Sequence, residues 1–199
     1  MISIIDYGMG NLRSVQKAFE FIGQKAIITN KAADLKDADH IVLPGVGAFK
    51  DAMEALKKTN LTCVLKDEIA KGKPFLGICL GMQMLFDKSF EDGEHEGLGL
   101  IKGEVVRFDT SLKVPHIGWN QLIIKKQTPL FDKIDDLNYY FVHSYHASGC
   151  RKEDIETTCR YDYEFVASVN KDNIFGVQFH PEKSGDTGLK LLENFSKIK

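Results

Sequence analysis

The chain has 199 residues, 43% of them hydrophobic and 13 of them Phe, enough to bury one sizeable core, so residues 1–199 are read as a single domain. Lys and Arg number 26 against 28 Asp and Glu, a formal charge of -2 with the basic residues scattered, which argues against nucleic acid or another polyanion as a partner. No apolar run reaches the length of a membrane span, and "MISIIDYG" lacks the basic start and apolar stretch of a secretory signal, so no membrane association and a cytoplasmic location are expected.

In chain order, "ISII" reads as a short apolar strand. "GNLRSVQKAFEFIG" follows with Leu12, Val15, Ala18, Phe19 and Ile22 at helical spacing and Gly23 as the stop. "KAIIT" and "HIVLPG" repeat the strand signal, while "AFKDAMEAL" and "LTCVLKDEIAKG" read as helices, the second ended by Gly72. "KPFLGIC" is then a strand and "LGMQMLF" the start of a helix. Such alternation implies a parallel sheet covered by helices. The second half changes character: "LIKGEVVRFD", "NQLIIKK", "YYFVHSY", "EFVASVN" and "IFGVQFH" are β-rich runs, "YHASGCRKEDIET" reads as a variable loop, and only "DTGLKLLENFSKI" returns to helix. The expected fold class is α/β, with a central mixed, mostly parallel sheet flanked by helices and antiparallel additions in the second half.

The four cysteines have neither zinc-site spacing nor the density of a disulfide scaffold, so reduced thiols are expected. Cys63, on a helical pattern, reads as a small buried hydrophobe, and Cys150 and Cys159 read alike. His143 and His146 look like a metal pair, but three residues apart on one strand they point to opposite faces, so no metal is assigned.

Cys79 is different. "PFLGIC" ends a strand and "LGMQMLF" opens a helix, which places Cys79 on a sharp turn like the nucleophile elbow of serine hydrolases, where ligands of open α/β sheets bind. Gly77 and Gly81 let backbones approach closely, and a helix N-terminus favours thiolate and binds a developing oxyanion. On these residues alone a buried structural cysteine between packing glycines stands as the alternative. A base is at hand in "VQFHPEKS": His180 closes an apolar strand, Pro181 forces the turn, and Glu182 is placed to hold one ring nitrogen while the other faces a thiol. "HPE" alone suits a rim histidine with a solvated glutamate equally well.

Together "GICLGMQ" and "FGVQFHPEKS" resemble the triad glutamine amidotransferases, a class I, flavodoxin-like family whose Cys, His and Glu release ammonia from glutamine. "DYGMGNLRSV", "LPGVGAF", "PHIGWN" and "YYFVHSY" are similar to one branch of it, the glutaminase subunits of imidazole glycerol phosphate synthase, and the resemblance spans essentially the whole chain. It implies L-glutamine as substrate and no cofactor. Cys79 would form a glutamyl thioester, His180 would serve as acid and then base, and Glu182 would orient it. The amides of Val46, between Gly45 and Gly47, and of Leu80 would bind the oxyanion. Gln83, Glu91, His143, Ser144 and Tyr145 would contact glutamine. Ammonia would pass to a (β/α)8-barrel cyclase, docked as a heterodimer through Asn11, Trp119, Tyr140 and Lys183. Trp119, the one tryptophan, sits between two turn-like residues and reads as an exposed anchor, with core packing as the alternative. Two other functions fit the same residues: a paralogous glutaminase feeding a sugar-modifying amidotransferase, and a non-catalytic assembly module.

Overall fold

The computed structural model describes every residue from Met1 to Lys199. Its first half alternates β1 (Ile2–Ile5), α1 (Leu12–Phe21), β2 (Ala26–Thr29), α2 (Ala32–Asp37), β3 (His40–Gly45), α3 (Phe49–Lys58), α4 (Thr62–Ala70), β4 (Phe75–Cys79) and α5 (Leu80–Gln83). The second half runs β5 (Lys88–Ser89), β6 (His95–Glu96), β7 (Glu104–Arg107), β8 (His116–Ile124), β9 (Asn138–His143), β10 (Tyr145–Ser148), β11 (Ile155–Tyr161), β12 (Tyr163–Lys171) and β13 (Ile174–Val177), closed by α6 (Gly185–Phe195).

Strands β2-β1-β3-β4-β13 pair in parallel, and β12-β10-β7-β5-β6 continue the sheet with antiparallel pairs except at β7 and β5. β11 joins β12 to β8, and β8 carries β9. The mixed, mostly parallel centre expected from the sequence is therefore present, and it exists because both faces of its strands are apolar. On β1, Ile2 and Ile4 point to one side with Val15, Phe19, Leu191 and Phe195 of α1 and α6. Ile5 points to the other with Ile41, Leu43, Met53, Leu56 and Leu65, under α3 and α4. Alternation of period two puts each residue on one side, and a helix layer on each side keeps both from water. No helix is long and apolar enough to cross a membrane.

Three expectations need correction. "YHASGCRKEDIET" is not a loop throughout: it holds β10 and the start of β11, whose polar side chains are buried by neighbouring strands, as at Glu156 and Thr157. The helix after Cys79 stops at Gln83, because the next carbonyls are taken by a loop. Leu98 N–H bonds Met84 O at 2.8 Å, Leu100 N–H bonds Leu85 O at 2.9 Å and Gly99 N–H bonds Phe86 O at 3.1 Å. Cys63 is exposed on α4, whose buried face is Leu65, Glu68 and Ile69, whereas Cys159 is buried.

Glu156 is fully buried on β11 with Oε1 on the Thr128 hydroxyl and Oε2 unpartnered. Burial raises its pKa to about 7, against the opposing pull of the Thr128 and Ser168 hydroxyls and Lys126. A carboxyl whose folded pKa lies above its unfolded value near 4.3 contributes fully below that value and loses the contribution as pH rises through about 7. Glu156→Gln, which carries no charge, should therefore gain stability relative to the parent between pH 5 and pH 8, by up to about 3 kcal/mol. Urea unfolding of both proteins at the two pH values measures this, and an equal difference at both would contradict it.

Candidate active site

Cys79 ends β4 with φ 55° and ψ -110°, a left-handed conformation rare for a residue with a side chain. The turn fits only because its neighbours are small. A Cβ on Gly81 would lie 1.8 Å from the Leu43 carbonyl oxygen, and one on Gly77 2.6 Å from the Gly81 carbonyl oxygen. The backbone is thus pressed against β3, and the thiol is left at the carboxyl end of the parallel strands.

Register then sets the company of the thiol. Gly45 of β3 lies beside Cys79, and Val177 of β13 lies beside Ile78, so the next residue, Gln178, comes abreast of the cysteine. Two residues on, His180 is tied by its own N–H to the Tyr140 carbonyl at 2.9 Å, and the 3-10 turn Pro181–Lys183 brings Glu182 back under the ring. His180 Nδ1 is 2.8 Å from Glu182 Oε1, with both side chains almost wholly buried. His180 Nε2 and Glu182 Oε2 have no hydrogen-bond partner. Burial disfavours charge on this ring, but the Cys79 sulfur and the Glu182 carboxylate on either side outweigh it and raise the His180 pKa to about 10.

These groups open on a cavity of about 330 Å³ lined by Val46, Gly47, Cys79, Leu80, Gln83, Glu91, Pro115, Val142, His143, Ser144, Tyr145 and His180. Cys79, His180 and the five residues expected to contact glutamine therefore share one chamber, with Glu182 behind His180. Gly47 has φ 97°, a conformation open to glycine, but Gly45 does not: it is needed for space, since a Cβ there would meet the Tyr7 hydroxyl at 2.5 Å. That hydroxyl donates to the Pro44 carbonyl at 2.9 Å and so braces the Gly45–Val46–Gly47 loop from behind. Glu91 lines the chamber and also accepts the Phe49 N–H at 2.7 Å at the start of α3, so one of its oxygens is already engaged. Because α5 is a single turn, it offers free N–H groups and little dipole.

His143 and His146 do not alternate along one strand, as the sequence suggests, because they lie on separate strands, β9 and β10. The strand breaks at Ser144, and the rings of His143 and His146 both pack on Phe108, with centroids 5.1 and 4.6 Å away. Both ring nitrogens of His143 are bonded inside the protein, to His116 and to the Tyr145 carbonyl, so the ring has none to offer the chamber. Sequence reading missed Gln178, whose only signal was one polar residue in the apolar run "IFGVQFH", and it missed His116 and Tyr7.

Trp119 is 59% exposed, in the middle of β8 rather than at a turn, and strand alternation places it outward with Ile117, which is 56% exposed. Tyr140 pairs with it across the β8–β9 ladder, the two rings 6.2 Å apart, and Lys183 Nζ lies 6.0 Å from the Tyr140 ring. Asn11 is the residue before α1, a helix that touches the Pro181–Lys183 turn.

A thiol on a strained turn, a buried His–Glu pair and small-residue turns lie together at the end of a parallel sheet, the arrangement that cysteine-dependent hydrolysis and transfer need, and the chain belongs to the class-I glutamine amidotransferase family, whose model matches residues 3–198. Solved structures agree on the fold. One described as a glutamine amidotransferase superposes with a TM-score of 0.78 at 16% identity, covering 98% of each chain. Within the family the chain groups with relatives named imidazole glycerol phosphate synthase subunit HisH. The one from Caldanaerobacter subterraneus subsp. tengcongensis is 54% identical over 100% of this chain and 98% of its own, and the one from Aquifex aeolicus 51% identical over 98% and 95%.

Proposed function

We propose that the chain is the glutaminase subunit of an imidazole glycerol phosphate synthase, hydrolysing L-glutamine and supplying ammonia for histidine biosynthesis. The observation that carries this is the placement of Cys79, at φ 55°, in one chamber with His180, whose ring is backed by Glu182. In this reading the Cys79 sulfur adds to the side-chain carboxamide carbon, and the carbonyl oxygen becomes an oxyanion facing the Val46 and Leu80 amides. His180 gives a proton to the departing nitrogen as the C–N bond breaks, releasing ammonia and leaving a glutamyl thioester. His180 then takes a proton from water, the hydroxide adds, and the C–S bond breaks to give glutamate and the Cys79 thiolate, with the water proton left on His180 for the next turnover. Glu182 holds Nδ1 throughout, so that Nε2 serves both steps. Glu91 meets the substrate ammonium, and Gln83 with the Ser144–Tyr145 segment holds the rest.

Ammonia released to bulk water would be protonated and lost, so the product has to leave into a partner. That partner is a (β/α)8-barrel cyclase, and the pair works in the cytoplasm, where four free cysteines are at home. The docking face is the exposed Ile117 and Trp119 with Tyr140, Val142 and Lys183, and Asn11 at its margin. Support comes from continuity: Val142 lines the chamber and the Tyr140 carbonyl holds the His180 backbone, so β9, which carries part of this face, also borders the chamber and holds the histidine. Trp119→Ala should weaken assembly with the co-purified cyclase by roughly 30-fold or more, the scale of an aromatic hot spot. Titration of the cyclase with each form measures it, with Cys79 alkylation as the check that the chamber is intact, and parental affinity would remove Trp119 from the interface.

A further inference from the structure

A continuous run of hydrogen bonds crosses the molecule beneath the chamber, and its direction is fixed by two carbonyls. The Tyr145 carbonyl oxygen only accepts. It is 2.8 Å from His143 Nδ1 and 3.0 Å from Gln83 Nε2, so His143 carries its proton on Nδ1 and Gln83 turns its amide N–H₂ to this point. His143 Nε2 is then bare, and His116 Nδ1 at 3.1 Å must donate to it. That leaves His116 Nε2 bare, to accept from Asn120 Nδ2 at 3.3 Å. The Arg160 carbonyl, 2.9 Å from Asn120 Nδ2, demands the same orientation of that amide from the opposite end. Two acceptors far apart in the chain thus enforce one polarity. The buried rings stay neutral, as this requires: burial lowers the His116 pKa to about 4 and the His143 pKa to about 3.

The other arm runs to the nucleophile. With one N–H on the Tyr145 carbonyl, Gln83 Nε2 gives its second to Gln178 Oε1 at 3.0 Å. The Gln178 amide is thereby oriented, and its Nε2 comes 3.7 Å from the Cys79 sulfur. Gln178 is fully buried and its backbone N–H is fixed on the Ala167 carbonyl at 2.8 Å, so the side chain has no other place to go. Both donors of Gln83 are spent inside the protein, which leaves Oε1 as the acceptor that this residue presents to the chamber.

We infer that Gln178 is a positioning residue of the thiol chemistry, holding an amide N–H toward the Cys79 sulfur and locking Gln83 with its carbonyl oxygen turned to an N–H-bearing substrate. The inference rests on the glutaminase reading. An N–H aimed at sulfur favours the thiolate over the thiol, and the thiolate is the form that attacks. Without Gln178 the Gln83 amide is held by the Tyr145 carbonyl alone, so its carbonyl oxygen is presented to the substrate less rigidly, which weakens recognition without touching the triad.

Two substitutions separate these effects. Gln178→Glu keeps an acceptor for Gln83 and takes the amide N–H from the sulfur, and Gln178→Met takes both. Iodoacetamide labelling at neutral pH, read by peptide mass spectrometry, gives the Cys79 rate against that of exposed Cys63 in the same molecule. The ratio should fall about tenfold in both variants, the effect of losing one hydrogen bond to a charged acceptor, and KM for glutamine in the complex with the cyclase should rise in Gln178→Met far more than in Gln178→Glu. A residue that merely fills space would lower stability and leave the labelling ratio and KM of the folded protein alone. Nitrogen-15 NMR of the unmodified chain tests the polarity without any substitution: His116 and His143 should both be Nδ1–H tautomers. Nε2–H at His143, or folded variants with the parental ratio and KM, would overturn the inference while the parent complex still hydrolyses glutamine. A parent complex that hydrolyses none would instead overturn the glutaminase reading and this inference with it.

Discussion

Cys79→Ala should abolish glutamine-dependent activity of the complex, by on the order of 10⁴-fold or more, the scale on which removing a nucleophile acts in a comparable triad hydrolase. The reason is positional as much as chemical. No other thiol lies in the chamber, and the turn that presents Cys79 is built by glycines that admit no side chain. Ala is smaller than Cys and meets the same φ, so the variant should fold and bind the cyclase. Synthesis driven by added ammonium salts should remain largely intact, because ammonia from solvent bypasses the thioester. Parallel assays with glutamine and with ammonium chloride distinguish the outcomes, and loss of both in a correctly assembled complex would contradict the division of labour between the subunits.

Glu182→Gln should be nearly as damaging, slowing hydrolysis by on the order of 10³ to 10⁴-fold, as the equivalent carboxylate-to-amide change does in serine proteases. Glu182 Oε1 is 2.8 Å from His180 Nδ1 and both groups are buried, so the carboxylate decides which ring nitrogen holds the proton. An amide nitrogen at that position would make Nδ1 the acceptor and send the proton to Nε2, the nitrogen that must face sulfur and then water. Charge matters as well, since the carboxylate helps to raise the His180 pKa. Attack by Cys79 retains its nucleophile while water activation loses its oriented base, so acid-quenched samples should hold more thioester at steady state than the parent does. A parental hydrolysis rate would take Glu182 out of the triad.

Much of this arrangement was legible in the residues. α1 announced itself through Leu12, Val15, Ala18 and Phe19, three of which are buried where the spacing put them. The Cys79 turn was readable because glycines at 77 and 81 are unusual unless backbone presses on backbone, and the separations in the structure bear that out. What stayed hidden depends on partners distant in the chain. β11 carries Glu156, Thr157 and Thr158, polar side chains that look like loop until β8 and β12 cover them. α5 ends at Gln83 because residues 98 to 100 claim the carbonyls, which no local pattern announces. Gln178 lay between Val177 and Phe179 as a blemish in an apolar run, and its meaning comes from the register that sets β13 beside β4. Trp119 was expected outward for the wrong local reason, since strand alternation and not a turn exposes it.

A glutamyl group carried by Cys79 should be open to trapping. The complex with the cyclase is mixed with glutamine, quenched in acid within a single turnover and digested, and the peptide containing Cys79 is weighed. A glutamyl adduct on Cys79 that hydroxylamine removes should form and be consumed fast enough to explain glutamate release, and should be absent from Cys79→Ala. Glutamate released at the full rate with no such adduct, or by the Cys79→Ala complex, would contradict this role of Cys79.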